Sequence, residues 1–81
     1  MDKLEKILEL VEEHRQIADE IFSQWQKQEA EARKKYSPEG FRTEFILKRY
    51  PEYAGKLWSE TNNTVDKVSE IFRQARNELN Q

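Results

Sequence analysis

The sequence predicts an all-α protein: an antiparallel hairpin of two long helices with a short helix at the turn, completed to a four-helix bundle by dimerisation. Three observations predict this class. Alanine, glutamate, lysine, leucine and arginine make up nearly half of the 81 residues, a share typical of long helices and coiled coils. The chain has only two glycines and two prolines. Apolar residues also recur at steps of three and four, which is the spacing of one helical face. Residues 1–81 form a single domain, because no linker rich in glycine, serine or proline divides them.

The first long helix is predicted over about residues 2–35. Its apolar residues lie on one helical face, and read as heptads they fill two core positions. One position is held by Leu4, Val11, Ala18, Trp25 and Ala32, and the other by Ile7, His14, Ile21, Gln28 and Lys35. The apolar pattern is therefore continuous up to Trp25 and weakens after it.

A turn at residues 36–40 is predicted to end this helix and to start a short helix over about residues 38–50. Ser37 is a good helix cap, and Pro38 suits the first turn of a helix because the missing N–H has no helical partner there. Pro51 disfavours the helical conformation of the residue before it. The sequence therefore predicts that the helix is interrupted at Pro51.

The second long helix is predicted over about residues 51–79. Its apolar spacing is carried by Ala54, Trp58, Thr61, Val65, Val68, Phe72, Ala75 and Leu79. Residues 61–64 are four poor helix formers in a row, and they allow either a break with a new cap or a continuous helix. Because the apolar spacing crosses this tract without a change of register, a continuous helix is favoured.

Two helices of this length do not bury their apolar residues fully against each other, so the sequence predicts a homodimer. The flanking residues that an isolated pair leaves partly exposed are Ile7, Leu8, Phe22, Leu57, Ile71 and Phe72. The predicted oligomer interface consists of Leu4, Ile7, Val11, His14, Ala18, Ile21, Trp25, Trp58, Val65, Val68 and Phe72. Trp25 and Trp58 lie at comparable distances from the turn, which allows the two indoles to meet in the core.

Basic and aromatic residues are concentrated around the turn. Residues 33–56 contain seven basic and three acidic residues, although the formal net charge of the chain is -2. Such a region suits an acidic protein surface or, alternatively, the phosphates and bases of a nucleic acid. The same aromatic residues are also explained by packing of the short helix over the end of the bundle. The predicted partner-binding residues are Arg33, Lys34, Lys35, Tyr36, Arg42, Lys48, Arg49, Tyr50, Tyr53 and Lys56.

The chain lacks the residue combinations that catalysis and metal binding require. It has no cysteine and a single histidine, His14, and it contains no zinc-binding, phosphate-loop or dinucleotide-binding motif. No catalytic, cofactor-binding or metal-binding residue is therefore predicted, and no small-molecule substrate. No apolar run approaches the ~18 residues of a membrane span, so we expect no membrane partner and a cytoplasmic location.

These observations favour a small non-enzymatic helical interaction module of bacterial or phage type, a regulator or inhibitor that acts by binding a protein partner. One alternative is a nucleic-acid-binding regulator that uses the basic turn region. A second alternative is a structural coiled-coil assembly subunit, which explains the composition without any specific binding site.

Overall fold

The computed structural model describes residues 2–80, and all of its regular structure is helical. Helix α1 spans Lys3–Lys35. After Tyr36 and Ser37 comes a second helical stretch, which is continuous from Pro38 to Leu79. It has three parts: α2 (Pro38–Gly40), a π-helical segment (Phe41–Ile46) and α3 (Leu47–Leu79). The predicted all-α class is confirmed, since residues 2–80 contain no strand.

Side-chain hydrogen bonds fix where each helix begins. The amide of Glu5 donates to the carboxylate of Asp2 at 2.7 Å, which satisfies one of the free N–H groups in the first turn of α1. At the second start, the amide of Gly40 donates to Oγ of Ser37 at 3.1 Å. Tyr36, between the two helices, has an extended backbone. The chain therefore changes direction within the predicted turn.

The predicted interruption at Pro51 is wrong, because α3 passes through this residue. The predicted short helix and the predicted second long helix are one continuous helical stretch. A proline inside a helix removes one backbone hydrogen bond, so its presence has to be compensated. Here the proline is exposed, and the indole of Trp25 stacks on Phe45 before it and on Tyr53 after it. Packing of these rings on both sides holds the helix together across Pro51.

The tract of residues 61–64 does not break α3 either. Thr61 and Thr64 are half-buried, and Oγ1 of Thr61 lies 3.0 Å from Nε2 of His14 on α1. The two asparagines between them are exposed, where a low helix propensity costs only a fraction of a kcal/mol per residue, ~0.7 at most. The continuous apolar register that favours one helix is thus the stronger signal.

α1 and α3 lie side by side and run in opposite directions. Contacts at three levels show this: Lys3 pairs with Glu78 at 2.7 Å, His14 contacts Thr61 at 3.0 Å, and the ring centroids of Trp25 and Tyr53 are 4.9 Å apart. The Cα atoms span 63 × 19 × 10 Å, so the pair forms a flat layer that is one helix thick. Its radius of gyration, 18.5 Å, is well above the ~12 Å of a compact domain of this length.

Two halves of this layer differ, and we name them by their ends. The turn half comprises residues 23–57, and the open half comprises residues 2–22 together with residues 58–80. Within the described chain, the buried residues are Trp25, Ala32 and Phe45, which form one cluster in the turn half, and Leu10 in the open half. Helix α3 contributes no buried residue anywhere along Leu47–Leu79. The core is therefore small and lies mainly near the turn.

Trp25 is the centre of that core. Its ring stacks on Phe45, with 5.1 Å between centroids, and on Tyr53, with 4.9 Å. Phe45 and Tyr53 are eight residues apart, about 12 Å along a helix, so they contact opposite sides of the indole. Phe41 extends the stack from Phe45 at 5.5 Å. The stack joins α1 to both the π-helical segment and α3, and near-parallel rings at these distances are a favourable arrangement.

Candidate interaction surface

Large apolar side chains are exposed in the open half of the molecule. Five lie on α1 and four on α3. Apart from Ile17, which is 39% exposed, eight of these residues have exposed fractions from 48% for Phe22 to 86% for Leu79. We call this set the apolar face; it consists of Leu4, Leu8, Val11, Phe22, Trp58, Val65, Phe72 and Leu79. Single exposed apolar residues are common on proteins, but a concentrated set of large ones is typical of an interaction surface.

Helical geometry places all eight residues on the same side of the flat layer. On α1, the stripe that contacts α3 contains half-buried residues such as Ile7 and Ile21, and the exposed stripe lies about 90° further around the helix axis. On α3, the contact stripe contains Leu57 and Val68, and the exposed stripe lies about 60° further around in the same sense. Because the helices are antiparallel, rotation in the same sense on each leads to the same broad side.

The opposite broad side of the layer is polar. It presents exposed charged and amide side chains from both helices, which include Lys6, Glu13, Glu20, Asn63, Lys67 and Gln74. A large apolar residue on that side, Ile17, is 39% exposed, less than any member of the apolar face. The layer is therefore amphipathic, with one apolar and one polar side.

The residues of the apolar face are arranged in levels along the helix pair. The contact of His14 with Thr61 sets which residues stand beside each other, and equal steps of 1.5 Å along both helices give the remaining levels to within about one residue. The levels are Leu4 with Phe72 and Val11 with Val65, and at a third level Trp58 stands beside the half-buried Ala18. Successive levels are seven residues apart on each helix, which is the spacing of a coiled-coil seam.

The structure divides the residues predicted for the oligomer interface into two groups. Six are buried or half-buried along the contact between the two helices of one chain: Ile7, His14, Ala18, Ile21, Trp25 and Val68. Five are exposed and belong to the apolar face: Leu4, Val11, Trp58, Val65 and Phe72. The sequence places Leu8 and Phe22 only at the flank and leaves Leu79 out. The sequence feature that identifies such residues is a second apolar stripe, which runs beside the first along the helix.

The two tryptophans do not share a core, although the sequence allows it. Trp25 is 8% exposed, whereas Trp58 is 67% exposed. The π-helical segment contributes to this difference. The amide of Leu47 donates to the carbonyl of Arg42, five residues back, so the turn is wider than an α-helical turn and shifts the face of the residues that follow. Phe45 and Tyr53 then fill both sides of Trp25 and leave Trp58 on the apolar face.

The basic residues predicted to bind a partner point in several directions around the turn. Arg33, Lys34 and Lys35 are consecutive in α1, so their side chains leave the helix about 100° apart. Three predicted residues are paired with a carboxylate one turn away: Arg33 with Glu29 at 3.0 Å, Lys48 with Glu44 at 2.7 Å, and Arg49 with Glu52 at 3.4 Å. These carboxylates reduce the positive potential that the turn presents to a polyanion.

The aromatic residues predicted at the turn are largely used within the chain. Tyr53 is half-buried against Trp25, and Tyr50 lies edge-on to the same indole, with 6.0 Å between centroids. Nζ of Lys35 lies 5.3 Å from the ring centroid of Tyr36, and the guanidinium of Arg33 lies 4.4 Å from the ring centroid of Phe41. These contacts support the packing explanation of the aromatic residues more than a stacking surface for bases.

Within residues 2–80, histidine and acidic side chains do not come together in groups of three or more that would hold a metal ion. The helices in this part of the chain also lack an apolar stretch long enough to cross a membrane. Comparison with protein-family models, with curated proteins and with solved structures finds no match to this chain. Function is therefore inferred from the surface itself.

Proposed function

We propose that this chain is a non-enzymatic protein–protein interaction module that binds through its apolar face. The observation that supports this is the exposure of eight large apolar side chains on one side of a flat helix pair. Keeping such a surface in water costs about 25 cal/mol per Å² of apolar area, and a partner that covers it recovers this free energy. Helices with the same apolar spacing fit best, because ridges of side chains pack into the grooves between them.

The architecture that we propose for the bound state is a four-helix bundle. Stable domains are built from at least two packed layers, and this chain supplies one layer that is 10 Å thick between its outermost Cα atoms. A second helical layer on the apolar face would enclose Val11, Val65 and their neighbours as a bundle core. If the second layer comes from a different protein, the role that fits a small module of this kind is that of a regulator or inhibitor that occupies a surface of its partner.

Photo-crosslinking in the cell tests the proposal. A photoreactive phenylalanine derivative in place of Trp58 or Phe72 puts the reactive group on the apolar face. The same derivative in place of Asn63 or Gln74 puts it on the polar side of the same helix, which is the matched control. We expect crosslinked protein products from the two positions on the apolar face and far fewer from the two control positions.

Two results would contradict the proposal: no crosslinked protein from the apolar face, or equal crosslinking from both sides.

The dependence of binding on salt concentration separates the proposal from the nucleic-acid alternative. Binding through apolar contacts changes little between about 50 and about 500 mM salt, whereas a complex made through phosphate contacts weakens by orders of magnitude. If the crosslinking is repeated in cell extract and the products disappear at high salt, the result would favour the basic turn as the binding region.

A further inference from the structure

We infer that the protein that covers the apolar face is a second copy of this chain. The inference rests on the proposed function and names the partner of the same surface. Three observations carry it: the area of the face, the self-complementary order of its residues, and the small core of the single chain.

The area of the face matches what a dimer needs. A large aliphatic side chain presents roughly 60–120 Å² of apolar area and an aromatic one roughly 150–250 Å². At the exposures observed, from 48% to 86%, the eight side chains together offer on the order of 600 Å² per chain. A standard interface buries about 800 Å² per partner, of which about 65% is apolar in homodimers. The apolar face alone thus supplies the apolar share of a stable homodimer.

The order of the residues makes the face complementary to itself, as a two-fold symmetric interface requires. On α1, Leu4 and Ala18 lie seven residues to either side of Val11. On α3, Trp58 and Phe72 lie seven residues to either side of Val65, and the two valines stand at the same level. A two-fold axis through that level places Val11 against Val11 and Leu4 against Ala18 of the second copy.

A two-fold axis along the helices gives an equally good match. In that arrangement α1 of one copy lies over α3 of the other, and each level meets its own counterpart. Ala18, which is half-buried beside the contact with α3, then faces Trp58 of the second copy, and its small side chain leaves room for the indole. Both axes keep the levels of the two copies in register.

The single chain also buries few of its apolar side chains. Four residues of the described chain are buried, and none of them is on α3. Small proteins with a thin core gain stability from a metal, a disulfide or a second subunit. This chain has no cysteine, so a disulfide is excluded, and a second subunit is the means that its surface provides.

Arg15 and Arg76 lie beside the apolar residues. Arginine suits an interface because its aliphatic stem packs on apolar side chains while its guanidinium group reaches the solvent-exposed rim.

Sedimentation equilibrium of the purified full chain tests the inference. We expect a species of twice the 9.8 kDa monomer mass that dissociates on dilution. Trp58→Glu combined with Phe72→Glu should raise the dissociation constant at least about 100-fold, because it puts two charges into the centre of the interface. Asn63→Glu combined with Gln74→Glu adds the same charge on the polar side of the same helix, and it should leave the constant within about threefold.

Circular dichroism at the same concentrations shows whether each variant is helical. If the Trp58→Glu, Phe72→Glu chain is unfolded, the milder change Val65→Ala replaces it, with an expected tenfold weakening of the dimer. Three outcomes overturn the inference: a monomer at every concentration, a dimer that survives the changes on the apolar face, or a dimer that the control changes dissociate equally.

The crosslinking and sedimentation results together separate the two proposals. A crosslinked product of twice the chain mass with a dimer in solution supports both. A product of any other mass, with a monomer in solution, supports the interaction module and overturns the second copy as its partner. A monomer without crosslinked products from the apolar face overturns both.

Discussion

The turn half and the open half of this protein place their tryptophans in opposite environments. In the turn half, Trp25 is 8% exposed and is enclosed by aromatic rings from the second helix. In the open half, Trp58 is 67% exposed and Phe72 is 58% exposed. Both halves belong to the same antiparallel helix pair, so the difference comes from the side chains and from the π-helical segment, which lies in the turn half.

The size of the residues between the helices explains the difference. In the turn half, stacked rings reach across the helix pair and cover one another, so two helices are sufficient for a core. In the open half, the helices meet through smaller groups such as Ile7, Thr61 and Val68, and the larger apolar residues stand beside the contact. The helix pair therefore encloses a core near the turn and leaves larger apolar side chains exposed at its open end.

The charges follow the same division. The open half contains eleven acidic and six basic residues, and the turn half contains five acidic and eight basic residues. In either two-fold arrangement, the acidic halves of two copies overlap, and their repulsion opposes the apolar attraction. Because salt screens repulsion between exposed charges, the dimer is expected to tighten modestly as salt is raised. This sign is opposite to that of nucleic-acid binding.

The largest expected effect comes from Trp25→Ala in the turn half. Truncating a buried tryptophan typically costs about 3–5 kcal/mol, which is comparable to the whole stability of a small single-core protein. We therefore expect the variant to lose most of its helical circular dichroism at 25 °C. Trp58→Ala is the matched control and should remain helical. Equal loss of helix in both variants would contradict the comparison of the two halves.

The next largest effect concerns the open half and needs no variant. If the apolar face is completed by a second copy, dilution removes part of the stabilisation, and the thermal midpoint falls with concentration. We expect a fall of several degrees for a hundredfold dilution, measured by circular dichroism. The Trp58→Glu, Phe72→Glu chain should melt at a midpoint independent of concentration. A wild-type midpoint that does not change on dilution would show that the open half is stable alone.

A smaller effect is expected for the polar contact in the middle of the helix pair. His14→Ala leaves the hydroxyl of Thr61 half-buried without its partner, which typically costs about 1 kcal/mol. Thr61→Val removes the other partner while keeping the shape. If the hydrogen bond is the cause, the double variant costs less than the sum of the single ones in urea unfolding. Strict additivity would mean that the two residues contribute independently.

The smallest effect is expected at the surface pair of Lys48 and Glu44. A hydrogen bond to the carboxylate of Glu44 raises the pKa of Lys48 above its ordinary value. The pair therefore contributes below that ordinary pKa, and its contribution is lost as the pH rises through the raised pKa. Both side chains are exposed, so Glu44→Gln should change the thermal midpoint at pH 7 by no more than about 2 °C.

The same variant has a spectroscopic readout. In an NMR titration of the Lys48 side chain, the pKa should move back toward its ordinary value when Glu44 is replaced. An unchanged pKa would show that Glu44 is not its cause. A large fall in the thermal midpoint of Glu44→Gln would mean that surface ion pairs, and not only the buried aromatic rings, stabilise the turn half.

The helices themselves were predictable because periodic apolar spacing and caps are local signals. The start of α1 after Asp2 and the turn at Tyr36 and Ser37 follow from such signals. The passage of the helix through Pro51 was not predictable, because it depends on Trp25, which is distant in the sequence. The π-helical segment was not predictable either, because no residue type marks a helical turn that is one residue wider.

The candidate surface was predictable in part. Residues such as Val11 and Val65 carry the heptad spacing of a seam, and the spacing alone does not tell whether a seam lies within one chain or between two. On α1, two apolar stripes run side by side, one containing Ile7 and the other Leu8. Only the three-dimensional pairing with α3 shows that the first stripe is used inside the chain and the second is left exposed.

The polar side of the layer sets a limit on assembly. When two copies meet through their apolar sides, each turns the side that contains Glu13, Lys67 and Gln74 outward. A two-fold contact of this kind covers the apolar face of both chains and is closed, so it leaves no equivalent face free for a third copy. If the apolar face binds a second copy, the assembly closes at two chains, and concentrated solutions of the protein are expected to stay free of fibres and higher polymers.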